Sequence, residues 1–363
     1  MISYQGRSRV TVNYLKTLYF DYPEWTICNV SLMPATWLKY RERLEEIVLA
    51  HPRIFPGYVK GSRNFDDVGT LPLYQPGFHT DCWGVVWQNI ERGLDSISVN
   101  HPLEDWAALD SFVPPDPMKD GAWGPQPDWA DVQRGMQEAV RKGGLAWGGG
   151  LPHGFMYMNL YYLRGFDNLM LDLATDDPRV YRLIAMIESY NAAVVAKYVE
   201  LGAEIMGFGD DLGNQKALPM SPAMWRKFIK PSYSRILAPC RARDIPVTLH
   251  TDGHILEIIP DLIDVGVRLL NPQIRANGLE GLQRMARGKL ALHQDLDRQL
   301  FPFATPSELE EHIGTVYEGL YLPEGGLTLN AECEPDVPLE NIDAICTILE
   351  RICKLPEPEV LLA

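Results

Sequence analysis

Val247-Thr248-Leu249-His250-Thr251-Asp252-Gly253-His254 is an apolar run that stops abruptly in two histidines, a carboxylate and a glycine. The apolar part suits a strand buried in a sheet, and acid/base or ligand side chains at its end suit the rim of a site. His250 and Asp252 share a side if the strand persists through them, because side chains alternate along extended chain. A turn after His250 would separate them. His250 is the leading candidate for metal binding or proton transfer, the alternative being a structural histidine bonded to backbone.

The same rhythm extends in both directions. Upstream, DPRVYRLIAMIESYNAAVVAKYVEL (177–201) carries an apolar stripe at helical spacing and feeds a short strand, Ala203 to Phe208, which stops at Gly209-Asp210-Asp211. Ser221 before Pro222 predicts a helix start, the hydroxyl accepting from a free amide and the proline needing no acceptor. Pro231 predicts a break or kink in that helix. Downstream, a helix through LEIIPDLIDVG precedes three short apolar runs. Val267 to Leu270 ends at Asn271-Pro272-Gln273, Leu290 to Leu292 at His293-Gln294-Asp295, and Leu327 to Asn330 at Glu332-Cys333-Glu334. Alternation of this kind predicts βα units on a parallel sheet. In a barrel the strand ends lie on one rim, where residues distant in sequence converge. A doubly wound open sheet has the same rhythm but should show a phosphate loop or dinucleotide fingerprint. Gly148-Gly149-Gly150 lacks the lysine and serine of such a loop and reads as a flexible turn. The N-terminal third is less regular: Trp25 to Leu32 reads as a strand and WLKYRERLEEIVLAH (37–51) as a helix. Segments 56–78 and 107–128 are long loops rich in proline, glycine and aspartate. Between them, His79 to Trp87 reads as a strand in a substrate wall.

Length of 363 residues and 46% apolar composition allow one large domain or two ordinary ones. A formal charge of −15 offers no basic footprint for nucleic acid and suits a small neutral or zwitterionic substrate. A local arginine could still hold an anionic one. The six cysteines form no CxxC pair and the chain opens without a leader-like segment, so a reducing cytoplasm is expected. No stretch of ~18 apolar residues is free of charge, and no membrane span is expected.

Several residue groups could carry chemistry. Cys333 lies between Glu332 and Glu334, where like charge disfavours a thiolate unless a cation offsets it. Zinc would do so and binds sulfur and imidazole strongly, making Cys333 and His250 metal candidates, with an inert thiol as the alternative. Asp210 and Asp211, with Gln215 close behind, could position a substrate amine, support a metal ligand, or cap the following turn. Asp81 beside Trp83 and Trp87 suits a cationic or ring-bearing ligand, unless the tryptophans are only core. His293, Asp295 and Asp297 form a further rim candidate. Arg164 and Arg275 are the local cations for a carboxylate substrate, unless each makes an ordinary salt bridge.

These residues resemble the uroporphyrinogen decarboxylase superfamily from about residue 20 to the end. The motifs are DDLG (210–213), SPAMWRKFIKP (221–231), HTDG (250–253) and CEPDVPLENI (333–342). The resemblance implies an α/β fold, a (β/α)8 TIM barrel with an elaborated N-terminal region and loops, forming a single domain over 1–363. Asp81 in HTDCWG is similar to the aspartate that the decarboxylases use in catalysis. The arginines that those enzymes carry in a segment resembling MRQAGRYLPEY are missing from Ser31 to Tyr40 here. A polycarboxylate tetrapyrrole would then bring unpaired charges into the pocket at several kcal/mol each.

The resemblance therefore points to the branch of zinc-dependent methyltransferases acting on corrinoid proteins. Those enzymes bind zinc through a histidine, a cysteine two residues on, and a distant cysteine. The matching positions are His250, Asp252 and Cys333, with Glu332 or Glu334 able to replace Asp252. The implied function is methyl transfer between a small methylated compound, such as a methoxylated aromatic, and a corrinoid carried by a partner protein. Its implied site has Asp81, Asp210, Asp211 and His250 in catalysis. Trp83, Trp87, Tyr157, Arg164, Gln215, Gln273, Arg275 and His293 would face the substrate. A homodimer is also implied. Two alternatives stay open: a metal-independent decarboxylase of a cyclic or aromatic acid using Asp81, and a non-catalytic corrinoid- or tetrapyrrole-binding protein.

Overall fold

The apolar stripe of 177–201 becomes a helix over Pro178–Leu201, whose buried face includes Val180, Leu183, Ile184, Ile187, Val194 and Val195. Each such side chain contributes roughly 1.5–3 kcal/mol on burial. Asp177 caps its start by accepting from the Arg179 amide, and Gly202 ends it at φ 100°. The structure is a computed structural model describing residues 3–67, 69 and 71–362. Ser221 caps the next helix through the Met224 amide at 3.2 Å, with Pro222 in its first turn. The expected break falls at Ile229, between Pro222–Phe228 and Lys230–Ile236, and Pro231 opens the second piece.

Seven strands carry the fold: β1 (Ile27–Leu32), β2 (Trp147–Gly148), β3 (Ile205–Gly209), β4 (Val247–Thr251), β5 (Val267–Pro272), β6 (Ala291–Asp295) and β7 (Leu327–Cys333). The chain divides into two compact units. The first contains Leu71–Ile90 and Asp95–Leu269, and the second Glu91–Leu94 with the described residues of Tyr4–Thr70 and Leu270–Ala363. In the first unit the order is β2-β3-β4 and the start of β5. The β2–β3 and β3–β4 pairs are parallel, and Gly209 lies opposite His250. In the second unit the order is β1-β7-β6 and the end of β5. Its β1–β7 and β6–β7 pairs are also parallel, and His293 lies opposite Thr328.

The hydrogen-bonded order thus has two ends, at β1 and at β2. The fold is α/β with helices between parallel strands, and the sheet holds seven strands among the described residues where the expected barrel has eight. β2 is the strand that patterning missed, because it is two residues long and lies in the glycine run read as a turn. Those glycines are packing residues: a Cβ on Gly148 would stand 2.3 Å from the Met206 sulfur, and one on Gly150 2.2 Å from the Tyr198 ring.

Two further expectations change. The helix read over 37–51 is two, Pro34–Tyr40 and Glu42–Ala50, separated at Arg41 by a φ of 50° that no α-helix accommodates. The strand read over 79–87 is a hairpin of Gly77–Thr80 and Val86–Asn89, pairing His79 with Trp87. Asp81 closes its turn, one carboxylate oxygen accepting from the Trp83 and Val85 amides at 2.8 and 3.0 Å. No described helix is long and apolar enough to cross a membrane.

Candidate metal centre

His250 lies one residue before the end of β4, and its cross-strand neighbour on β3 is Gly209. A side chain on Gly209 would fill the space used by a second imidazole, since a Cβ there would lie 2.3 Å from His153 Nδ1. His153 comes from the loop after β2 and was not singled out by the sequence. Its only local signal is its place just beyond the glycine run, ahead of the helix Tyr157–Arg164. The two imidazoles face one another with ring centroids 5.5 Å apart.

Asp211, two residues past β3, completes the group. Its Oδ2 is 3.0 Å from His153 Nε2 and its Oδ1 accepts from the Asp252 amide at 3.0 Å. One potential donor atom from each of His153, Asp211 and His250 lies within 4.8 Å of the others. Burial alone would lower the His153 imidazole, but the Asp211 hydrogen bond and charge raise it above its ordinary value. Burial likewise works to raise Asp211, and the His153 bond with the Asp252 amide holds it below the ordinary carboxylate range. Two imidazoles and one carboxylate leave a coordination position open, which is the donor pattern of a catalytic zinc site, so these residues fit that ion.

The neighbouring carboxylates differ sharply in surroundings. Asp210 is fully buried, accepting from the Tyr157 and Met158 amides at 2.8 and 3.0 Å and from the Tyr233 hydroxyl at 2.8 Å. Burial pushes it up to about 6 despite those three bonds. Asp252 has Oδ1 3.2 Å from His250 Nε2, so the pair expected to share a side does meet. Past the strands the chain stays zipped, with Asp210 N donating to His250 O at 3.1 Å and Leu212 N to Thr251 Oγ1 at 3.0 Å.

Other expected residues take plainer positions. Asp81 Oδ2 accepts from the Trp87 indole at 2.9 Å, and burial raises this carboxyl. Trp87 meets Tyr162 edge-on at 4.7 Å and Trp123 at 5.4 Å, an aromatic cluster in which burial, and after it the charges of Asp211 and Asp210, pushes the Tyr162 hydroxyl well up. Trp83, 3% exposed, is core against Tyr190. Tyr157 is buried, and Gln215 is exposed. Arg164 is buried against Asp172 at 2.7 Å, bonds the Leu103 carbonyl at 2.9 Å and lies over the Trp106 ring, so its charge is spent inside the fold.

In the second unit, His293 Nδ1 is 2.6 Å from Thr328 Oγ1, and Asp295 Oδ1 accepts from Asn271 and Asn330 at 2.8 and 2.7 Å. Gln273 bridges to Asp295 through backbone, and half-exposed Arg275 pairs with Asp297 at 2.8 Å. Glu332 pairs with Arg298. Glu334 is partly exposed. Cys333 is buried, and burial with the charges of Glu332 and Glu334 pushes its thiol up to about 12.

The fold is shared with a methyltransferase from Methanosarcina mazei at 15% identity, with a TM-score of 0.58 over 95% of this chain and 99% of that one. A putative vitamin-B12-independent methionine synthase from Listeria monocytogenes matches at 13% identity and TM-score 0.39, over 63% of this chain and 69% of that one. A dihydropteroate synthase from Xanthomonas albilineans matches at 16% identity and TM-score 0.30, over 46% and 62%. No curated protein matches in sequence. The family model for uroporphyrinogen decarboxylase (URO-D) matches residues 99–352, most of the chain, and both centres of polar residues at its strand ends fall within that span. The chain belongs to the URO-D family.

Proposed function

We propose that this protein is a zinc-dependent methyltransferase, moving a methyl group between a small methylated compound and a corrinoid carried by a partner protein. The observation that carries this reading is the convergence of His153 and Asp211, from beyond the ends of β2 and β3, with His250 in the last residues of β4. His153 and His250 would hold the ion through imidazole nitrogens and Asp211 through a carboxylate oxygen. Bound zinc supplies Lewis-acid activation of the substrate heteroatom. Asp252 orients the His250 ring, the role that carboxylates beside ligating histidines commonly fill. Trp87, Trp123 and Tyr162 pack edge-on into an aromatic cluster in the same unit, which supports a methoxylated ring as the methyl-bearing compound. The fold shared with the archaeal methyltransferase supports the same class. Six free thiols support a reducing, cytoplasmic setting.

The decarboxylase alternative relies on Asp81, whose oxygens here already accept from two turn amides and the Trp87 indole. The metal reading is therefore preferred. Its test is zinc content after metal-free purification and reconstitution, with methylation of reduced cobalamin from methoxyarenes measured alongside. About one zinc per chain with methyl transfer is expected. A protein that takes up no zinc and methylates no cobalamin sinks the reading.

A further inference from the structure

We propose that Asp210 is a positioning residue: it clamps the loop after β2 onto the end of β3 and thereby holds His153 in the metal group. This rests on the ligand set assigned above and extends it to a residue that cannot touch substrate, since Asp210 is 0% exposed.

Four bonds hang the segment after His153 on the end of β3 and the residue beyond it. Gly154 N donates to Gly209 O at 2.8 Å, with Phe155 N at 3.5 Å from the same oxygen. Tyr157 N donates to one Asp210 carboxylate oxygen at 2.8 Å and Met158 N to the other at 3.0 Å. The Tyr233 hydroxyl, from the helix Lys230–Ile236, donates to the first oxygen at 2.8 Å and fixes the carboxylate's plane. Asn191, on Pro178–Leu201, closes the far side by donating to the Phe155 carbonyl at 2.6 Å.

Four of these bonds begin in the loop or in the first turn of the helix Tyr157–Arg164 and end on the β3 terminus that leads straight into Asp211. Two ligands of the same centre are thus referred to one rigid point, His153 through Asp210 and Asp211 through the chain itself. A carboxylate suits this place because it accepts at both oxygens, and three donors converge on it. An amide offers a single acceptor oxygen and turns an N–H2 group toward one of the donors. In Asp210→Asn at least one of the Tyr157 and Met158 amides, at the start of the helix that follows the loop, then loses its partner.

The experiment compares full-length wild type, Asp210→Asn and Tyr233→Phe by hydrogen exchange over residues 150–160 and by titration with Co2+, whose visible bands report coordination. The clamp predicts faster exchange confined to that segment in Asp210→Asn. It also predicts Co2+ binding about 10–100-fold weaker with altered bands, the range typical of groups that support a ligand from behind. Tyr233→Phe, which keeps the Tyr157 and Met158 amides bonded, should show the same changes to a smaller degree, and it carries the test if Asp210→Asn does not fold. Unchanged exchange over 150–160 overturns the clamp. Loosened exchange with wild-type Co2+ affinity and spectrum overturns its role in placing His153. Failure of the wild type itself to bind Co2+ would instead overturn the metal reading, and the exchange comparison would still decide the clamp.

Discussion

Leu249-His250-Thr251-Asp252 and Leu292-His293-Gln294-Asp295 carry one pattern at the ends of two strands, and they meet opposite fates. The difference begins with the residue across the sheet. His250 lies opposite Gly209, and the missing side chain leaves room for His153 to approach. His293 lies opposite Thr328, whose hydroxyl sits 2.6 Å from its ring nitrogen. The aspartates diverge in the same way: Asp252 contacts its own histidine, whereas Asp295 accepts two asparagine amides from neighbouring strands. One centre gathers lone-pair donors that suit a cation, and the other bonds its histidine and aspartate to side chains of neighbouring strands. A histidine at a strand end acquires its chemistry from its cross-strand neighbour.

The largest expected effect separates the two histidines. His250→Ala and His153→Ala should each weaken zinc binding by more than the roughly 10–100-fold typical of supporting groups, while His293→Ala leaves it within about twofold. Competition against a chromogenic chelator measures this, and equal losses in all three variants would erase the distinction. Next comes exchanging the cross-strand neighbour. Gly209→Thr should expel His153, abolish zinc uptake and lower stability by about 1–3 kcal/mol through overpacking. Wild-type zinc affinity in that variant would show that the glycine is not what admits the second imidazole.

A smaller effect belongs to the second centre. Thr328→Val removes the His293 partner and should cost about 1 kcal/mol in urea unfolding with zinc affinity untouched.

The smallest is a dependence on pH. His312 accepts from the Asp297 amide at 3.1 Å just beyond β6, and burial lowers its pKa despite the nearby Asp297 charge. A folded-state value below the unfolded one means that the unfolded chain binds the proton more readily. The stability linked to His312 is therefore complete above its ordinary value near 6.5 and is lost as pH falls toward the depressed one. His312→Gln should flatten that slope in unfolding measured between mildly acidic and neutral pH. An unchanged slope would assign it elsewhere.

How much of this was legible varies with the range of the interactions. The helix Pro178–Leu201, the Ser221-Pro222 start and the break near Pro231 follow from local rules, and each was readable in the chain. The three rim carboxylates beside β3 and β4, Asp210, Asp211 and Asp252, were also visible as strand-end residues, as was His250. His153 was not, because it lies in a loop and enters the site only through the emptiness of Gly209, a residue more than fifty positions away. Nor could patterning find β2, whose two residues carry no period.

The sequence by itself determined that apolar runs would form strands, that their ends would be polar, and that His250, Asp210 and Asp211 would stand at two of them. Those outcomes depend on side-chain periodicity and capping, which act over a few residues. Tertiary structure decided which polar ends met as a candidate ligand group and which bonded to side chains of neighbouring strands. It also sent Asp210 into the interior while Asp211 beside it met His153. Register between strands sets those choices, because it places a glycine or a threonine opposite the histidine, and no window of sequence contains both.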